Sequence, residues 1–239
     1  MGTFTSTFTA GNGTQSKTLA HVFQVLAGLS TSPTASVSDT TARVSFRTTA
    51  ASSSVAIKYA SNSSLTGAVT TSGVAVDGTS DFTGAIDLPG LAADTQYWYT
   101  PVVDEVDQYS APYPSFKTFP AAGASASFSF AFGACTKHSD TIGEDSIFNA
   151  IPAGARFFLH LGDTVYADRD PPIAATLADY RTQHRTVLIG TDVTTQDFKA
   201  LRARMPVFTT WDDHDLANDF SSGTGAAIYA PAKQAFQEY

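Results

Sequence analysis

Arg156-Phe-Phe-Leu-His-Leu-Gly-Asp-Thr-Val-Tyr-Ala-Asp168 decides the fold of the second half of the chain. Its apolar run from Phe157 to Leu161 is continuous rather than alternating, the pattern of a strand covered on both faces. The run stops at Gly162-Asp163. Upstream, Ser127-Phe-Ser-Phe-Ala-Phe-Gly133 reads as another strand, running into Ala134-Cys135-Thr136. A short helix follows, with Ile147, Phe148 and Ile151 on one face. Downstream come helices over about 174–188 and about 195–204, the second capped by Thr194 or Thr195 and carrying Phe198 and Leu201 inward. Met205-Pro-Val-Phe-Thr-Thr210 is the next strand, and it stops at Trp211-Asp-Asp-His-Asp215. Strands alternating with helices predict a mainly parallel sheet.

The chain ahead of Pro120 follows a different period. In Ala42-Arg-Val-Ser-Phe-Arg-Thr-Thr49, Val44 and Phe46 face one way and Arg43 and Arg47 the other. Val55, Ile57 and Tyr59 alternate likewise, and further strands are expected over 68–76, 82–88, 96–104 and 114–119. Short strands at this spacing, separated by Gly, Ser, Asp and Pro, predict an antiparallel sandwich. The expected organisation is an extension over 1–20, a β-sandwich over 21–120 and an α/β unit over 121–239.

Composition bounds the function. The chain has 239 residues, with 14 basic and 22 acidic side chains and a net charge of −8. Apolar residues make up 43% and charged ones 15%, a globular balance. One cysteine excludes an internal disulfide framework. No apolar run reaches the roughly 18 residues of a membrane helix. An acidic chain without a Lys/Arg cluster argues against nucleic acid as a stable partner. Residues 1–20 carry no signal-peptide pattern, yet the Ser/Thr-rich, Lys-poor first half suggests an extracellular or periplasmic protein. Asn12-Gly-Thr and Asn62-Ser-Ser match the glycosylation acceptor pattern, a weak signal.

In open α/β sheets ligands bind at the carboxyl ends of strands. Three successive strands bring to that edge Cys135, then Asp163, Tyr166 and Asp168, then Asp212, Asp213 and His214. A thiolate, carboxylates, a phenolate and an imidazole are all metal-ligand types. Clustered carboxylates repel one another unless cations are bound, because like charges at short range oppose each other's ionisation. Asp163, Asp213 and His214 have the firmest claim, since strand-end context and spacing both support them.

Gly162-Asp-Thr-Val-Tyr-Ala-Asp168 and Thr210-Trp-Asp-Asp-His-Asp215 resemble the second and third signature blocks of calcineurin-like metallophosphoesterases. They are most similar to the PhoD-like alkaline phosphatase/phosphodiesterase branch, in which the first block carries a cysteine, as in Phe132-Gly-Ala-Cys-Thr136. Leu91-Ala-Ala-Asp-Thr-Gln-Tyr97 resembles the tyrosine corner of fibronectin type III domains, with Ala93 where proline is usual. The resemblance implies a fibronectin III-like sandwich followed by a metallophosphoesterase domain that is incomplete at its C-terminus. It implies Fe3+ held by Cys135, Asp163 and Tyr166, with Asp163 bridging to Ca2+ and Asp213 a calcium ligand. His214 would sit beside the phosphate of a small phosphate-ester substrate. Hydrolysis by a metal-activated hydroxide would follow, as monoesterase or diesterase, and would need a further C-terminal part carrying more ligands.

Several residues keep plainer readings. Taken alone, Cys135 reads as a buried hydrophobe and Tyr166 as packing. Asp170 and Asp215 read as helix caps or solvated carboxylates, Asp168 as one of these or as a support behind the ligands, and Asp212 as a ligand or a support to one. His160, inside an apolar strand, reads as a core histidine or a support behind the ligands. His138 reads as a pocket-lining or an ordinary loop histidine, His21 and His184 read as structural, and Arg169 and Arg185 are unsupported candidates for a phosphate clamp. Two other functions stay open: a cysteine-nucleophile hydrolase, against which no Cys-x5-Arg loop follows Cys135, and a non-catalytic scaffold acting through the sandwich.

Overall fold

The computed structural model describes residues 2–9, 16–23, 28–136, 147–190, 193–221 and 223–239. Asn12 and His138 lie outside these. A hairpin of β1 (Gly2–Thr9) and β2 (Ser16–Phe23) opens the chain. Nine short strands follow: β3 (Thr34–Val37), β4 (Ala42–Arg47), β5 (Ser52–Ala60), β6 (Val69–Thr70), β7 (Val74–Val76), β8 (Thr83–Leu88), β9 (Gln96–Val103), β10 (Val106–Asp107) and β11 (Ser115–Lys117). They form two antiparallel sheets. One has the order β3-β4-β8; the other runs β10-β9-β5-β6, with β11 on β9 and β7 on β5. The expected strand over 68–76 is thus two short strands, both paired to β5.

Between the sheets lies a core in which Val44, Val55, Ile57, Leu88, Tyr99 and Phe116 are fully enclosed. The Tyr97 hydroxyl accepts the backbone N–H of Ala92 at 2.9 Å, closing a corner across five residues. Asp94 takes a positive φ of 49° inside that turn.

The second half is built on three parallel strands in the order β12-β13-β14: β12 (Ala131–Gly133), β13 (Phe158–His160) and β14 (Val207–Thr209). β12 is shorter than the run 127–133 expected from its alternation, although Arg156 N–H still bonds Ser129 C=O at 2.8 Å ahead of it. The helices are α1 (Ile147–Ala150), α2 (Leu177–Ile189), α3 (Val193–Arg204) and α4 (Tyr229–Glu238). Thr176 and Asp179 form a reciprocal capping box at the start of α2. Helix α3 begins at Val193, so Thr194 and Thr195 lie inside it rather than capping it. Phe148, Phe158, Phe198, Leu201 and Val207 build the core beneath the sheet.

One departure from the alternation of β4 shows how the halves meet. Arg43 is exposed as expected, but Arg47 is 8% exposed and pairs with Asp81 at 3.1 Å. The second half covers that end of the sandwich. Arg185 of α2 reaches the same Asp81 carboxylate at 2.7 Å, and the Tyr239 hydroxyl donates to it as well. Arg185 is therefore committed to the seam rather than to a phosphate. Burial works against the charge of Asp81, but the hydroxyl and the two guanidiniums outweigh it and hold its pKa below the usual value. On the opposite side Arg156 donates to Thr118 C=O and pairs with Asp94, beside a cluster of Phe119, Phe157 and Phe208.

His184 of α2 lies against the Tyr239 ring at 5.4 Å, nearly parallel, and is 5% exposed. Burial pulls its pKa from 6.5 to about 4. A histidine kept neutral in the fold contributes nothing above pH 6.5 and weakens the fold as pH falls from there towards 4, where only the unfolded chain is protonated. At about 1.4 kcal/mol per pKa unit, full expression of this shift amounts to about 3 kcal/mol. Denaturant unfolding of wild type and His184→Phe between pH 7 and pH 4 is expected to show the variant losing less stability. Parallel curves would mean that His184 is protonated in the fold.

Candidate metal centre

The parallel ladder does not stop where the strands do. Beyond β12 and β13, Leu161 N–H bonds Gly133 C=O at 2.7 Å, Cys135 N–H bonds Gly162 C=O at 3.1 Å and Thr136 N–H bonds Asp163 C=O at 3.2 Å. This draws the first two strand-end loops together residue by residue. Both turn through left-handed backbone at the residue of chemical interest: Cys135 has φ 61° and Asp163 φ 55°. Non-glycine residues seldom adopt this conformation, and it persists only where the surroundings hold it.

Asp215 holds it. Its carboxylate accepts four backbone N–H groups, from Asp163 at 2.7 Å, Thr164 at 3.0 Å, Val165 at 3.1 Å and Asp212 at 2.9 Å. It is 2% exposed. The capping reading of Asp215 thus captures the bond to Asp212, which closes a reciprocal cap on the single 3-10 turn Asp213–Asp215, but not the three bonds that reach across to the other loop. Burial raises its pKa to about 6, against the pull of the N–H donors. Gly162 allows the close approach. It has φ 110°, and a Cβ there would sit 2.5 Å from Asp212 Cβ and 2.7 Å from its backbone nitrogen.

This frame brings Asp163, Asp213 and His214 together, with one ligand atom from each within 4.8 Å of the others. Cys135 Sγ lies 3.4 Å from Asp163 Oδ2, and the Tyr166 hydroxyl neighbours both. Cys135 is exposed, so its reading as a buried hydrophobe is corrected: the loop turns the thiol out of the core. Burial first, then Asp163, pushes the Cys135 thiol up, and burial with Cys135 and Asp163 likewise raises the Tyr166 phenol. The surroundings thus oppose ionisation of the thiol and of the phenol. A bound cation reverses that sign and favours thiolate, phenolate and carboxylate at once, so the donor set fits a metal.

His214 has its Nδ1 2.8 Å from Asp168 Oδ1 and stacks on the Tyr166 ring at 4.6 Å. Asp168 also accepts the Asn218 N–H at 3.1 Å, so it is neither a helix cap nor a solvated carboxylate. Asp212 is exposed and its side chain accepts the Asp213 N–H at 2.9 Å, a capping contact. Asp213 accepts the Asp219 N–H, the main cause holding its pKa below the usual value.

His160 is fully enclosed. Its Nδ1 accepts the Gly162 N–H at 3.3 Å, which leaves Nε2 to donate to Thr136 Oγ1 at 2.8 Å. Burial lowers its pKa to about 4. It therefore braces both loops from behind. Arg169 is exposed and bonds Asn218. Sequence reading missed the reach of Asp215; the signal for it was a third carboxylate in a run of four residues, too dense for caps alone.

Known proteins share this fold. Residues 130–239 match the family model described as PhoD-like phosphatase. Among solved structures, that of PhoD is similar, with 19% identity and a TM-score of 0.72 over 92% of this chain and 47% of that one. The purple acid phosphatase PPD1 from seeds of yellow lupin (Lupinus luteus) shares 14% identity and a TM-score of 0.58, over 95% of this chain and 44% of that one. The chain spans less than half the length of either. No curated protein matches significantly.

Asp215→Asn is expected to lower stability by about 2–4 kcal/mol, because each carboxylate oxygen takes two N–H donors and the amide nitrogen accepts none. Gly162→Ala should cost at least about 2 kcal/mol from strain and the Asp212 clash. Urea midpoints check both; a wild-type midpoint in either would remove the clamp from the account.

Proposed function

Residues 130–239 carry the PhoD-like phosphatase match, and on that premise we propose that this protein contributes a metal-dependent phosphate-ester hydrolase centre, acting on small phosphate esters. The observation that carries the reading is the convergence of Asp163, Asp213 and His214 at one sheet edge, with Cys135 beside Asp163. The sandwich, read as fibronectin III-like on its tyrosine corner, serves as a support with no chemistry of its own. No described helix is long and apolar enough to cross a membrane, and the Ser/Thr-rich first half favours work outside the cytoplasm.

Cys135, Asp163 and Tyr166 would hold Fe3+, with Asp163 shared with Ca2+ and Asp213 on the calcium side. Trivalent iron suits anionic sulfur and oxygen donors, and calcium suits carboxylate oxygens. The metals, when bound, polarise a phosphoryl oxygen and lower the pKa of water towards neutrality. The protein's own residues do the rest. Asp168 holds His214 through Nδ1 and so fixes which nitrogen faces the substrate. With Nδ1–H on Asp168, the imidazolium form would present Nε2–H to a phosphate oxygen or give its proton to the leaving oxygen. Stacking on Tyr166 keeps the imidazole plane in place. Asp215 holds the two loops in register while charge moves between them.

Asp163→Asn is expected to lose bound iron and calcium, measured by elemental analysis, together with hydrolysis of p-nitrophenyl phosphate and its bis ester. Activity surviving that change would overturn the reading. Asp168→Asn should keep the metal content and lower kcat by about 100-fold or more, with little change in KM. An unchanged kcat would take His214 out of proton transfer.

A further inference from the structure

The seam between the two halves holds a cavity of about 200 Å³. One wall comes from the sandwich, through Thr34, Ser36 and Ser45. The other comes from the α/β half and includes the apolar side chains of Leu188, Phe198 and Phe236. Arg202 of α3 also lines it. This arginine is 5% exposed, its guanidinium carbon lies 5.9 Å from the Phe198 ring, and its Nε donates to Thr34 Oγ1 at 2.9 Å. Its Nη1 is buried with no hydrogen-bond partner among the described residues.

A buried guanidinium without an acceptor is costly, and a buried charge is ordinarily met by its opposite. Among the described residues no carboxylate side chain lines this cavity, and the imidazole that does, His184, is neutral at pH 7. Burial lowers the Arg202 pKa only to about 10, so the charge persists. The three sandwich hydroxyls opposite can donate, and the planar fork of a guanidinium matches an oxyanion edge.

We propose that this seam cavity is a binding site for a small oxyanion, a carboxylate or phosphate group, with Arg202 as its charge partner. Thr34, Ser36 and Ser45 supply further hydrogen bonds, and the apolar wall accepts a short organic body. The site joins β3, β4 and α3, so a bound anion fastens the sandwich to the α/β half. Thr164 lines the same cavity next to Asp163, which puts the ligand behind the strand-end loop. The proposal does not rest on the phosphatase reading.

Isothermal titration of the metal-free protein with inorganic phosphate and with butyrate tests it, and the two arms identify the source of the anion. Repeating the titrations in Asp163→Asn excludes capture at the strand-end cluster. At least one anion is expected to bind saturably, with equal affinity in wild type and Asp163→Asn, and to raise Tm. Arg202→Met should abolish that binding and, having no unpaired charge to bury, melt no lower than wild type without anion. Should Arg202→Met not fold, Arg202→Lys keeps the charge but not the fork and should bind about tenfold more weakly. Failure of both anions to bind at millimolar concentration overturns the proposal. So does affinity unchanged in whichever Arg202 variants fold.

Discussion

Four backbone N–H groups converging on the Asp215 carboxylate are the constraint on which the candidate site depends. Two parallel strands end side by side, and nothing in strand geometry dictates where their loops go next. One buried carboxylate settles it, by accepting N–H groups from Asp163, Thr164 and Val165 while its own loop closes on Asp212. The proposed ligands Asp163 and Asp213 are thereby held at a fixed separation before any cation arrives. An ionised acceptor is the right device, because charge-assisted bonds to N–H are stronger than neutral ones and a carboxylate can take two at each oxygen.

That frame is set against electrostatic conflict. Cys135 and Asp163 sit in left-handed backbone with Cys135 Sγ 3.4 Å from Asp163 Oδ2, and Asp163 works against ionisation of both the thiol and the Tyr166 phenol. A protein that stores both backbone strain and like-charge repulsion at one sheet edge has a use for them. A cation relieves the repulsion without moving the frame, since His160 and Asp215 brace the loops independently of it. His214 has a further tether in Asp168, which holds its ring, while its backbone N–H bonds the Asp163 carboxylate at 3.2 Å.

Much of this was legible in the sequence, for identifiable reasons. The continuous apolar run ahead of Gly162 marked a strand, although only Phe158 and His160 of it are enclosed. Leu161 is exposed because part of the sheet face is uncovered. The parallel three-strand sheet followed from the helices between such runs. Alternation in the first half located most of the sandwich strands, though not the short β3 and β10, and Tyr97 marked its corner. What the period could not carry was anything that depends on contact between the halves. Arg47 reads as a solvent-facing residue of an alternating strand and is buried because Asp81, Arg185 and Tyr239 meet it there. Asp215 reads as a local cap, and Asp168 as a cap or a support, because capping is a short-range pattern, whereas their principal bonds span about fifty residues. Taken alone, and apart from the resemblance that makes it a ligand, Cys135 reads as apolar filler because exposure is set by its left-handed turn, and no residue type announces that.

The most direct test of the account is the visible absorption of the protein titrated with ferric ion. A ferric ion held by a thiolate and a phenolate gives ligand-to-metal charge-transfer bands, so colour should develop with saturation, shift in Tyr166→Phe and in Cys135→Ser, and disappear in Asp163→Asn. Iron bound without colour, or colour indifferent to these three residues, would contradict a metal centre built from Cys135, Asp163 and Tyr166.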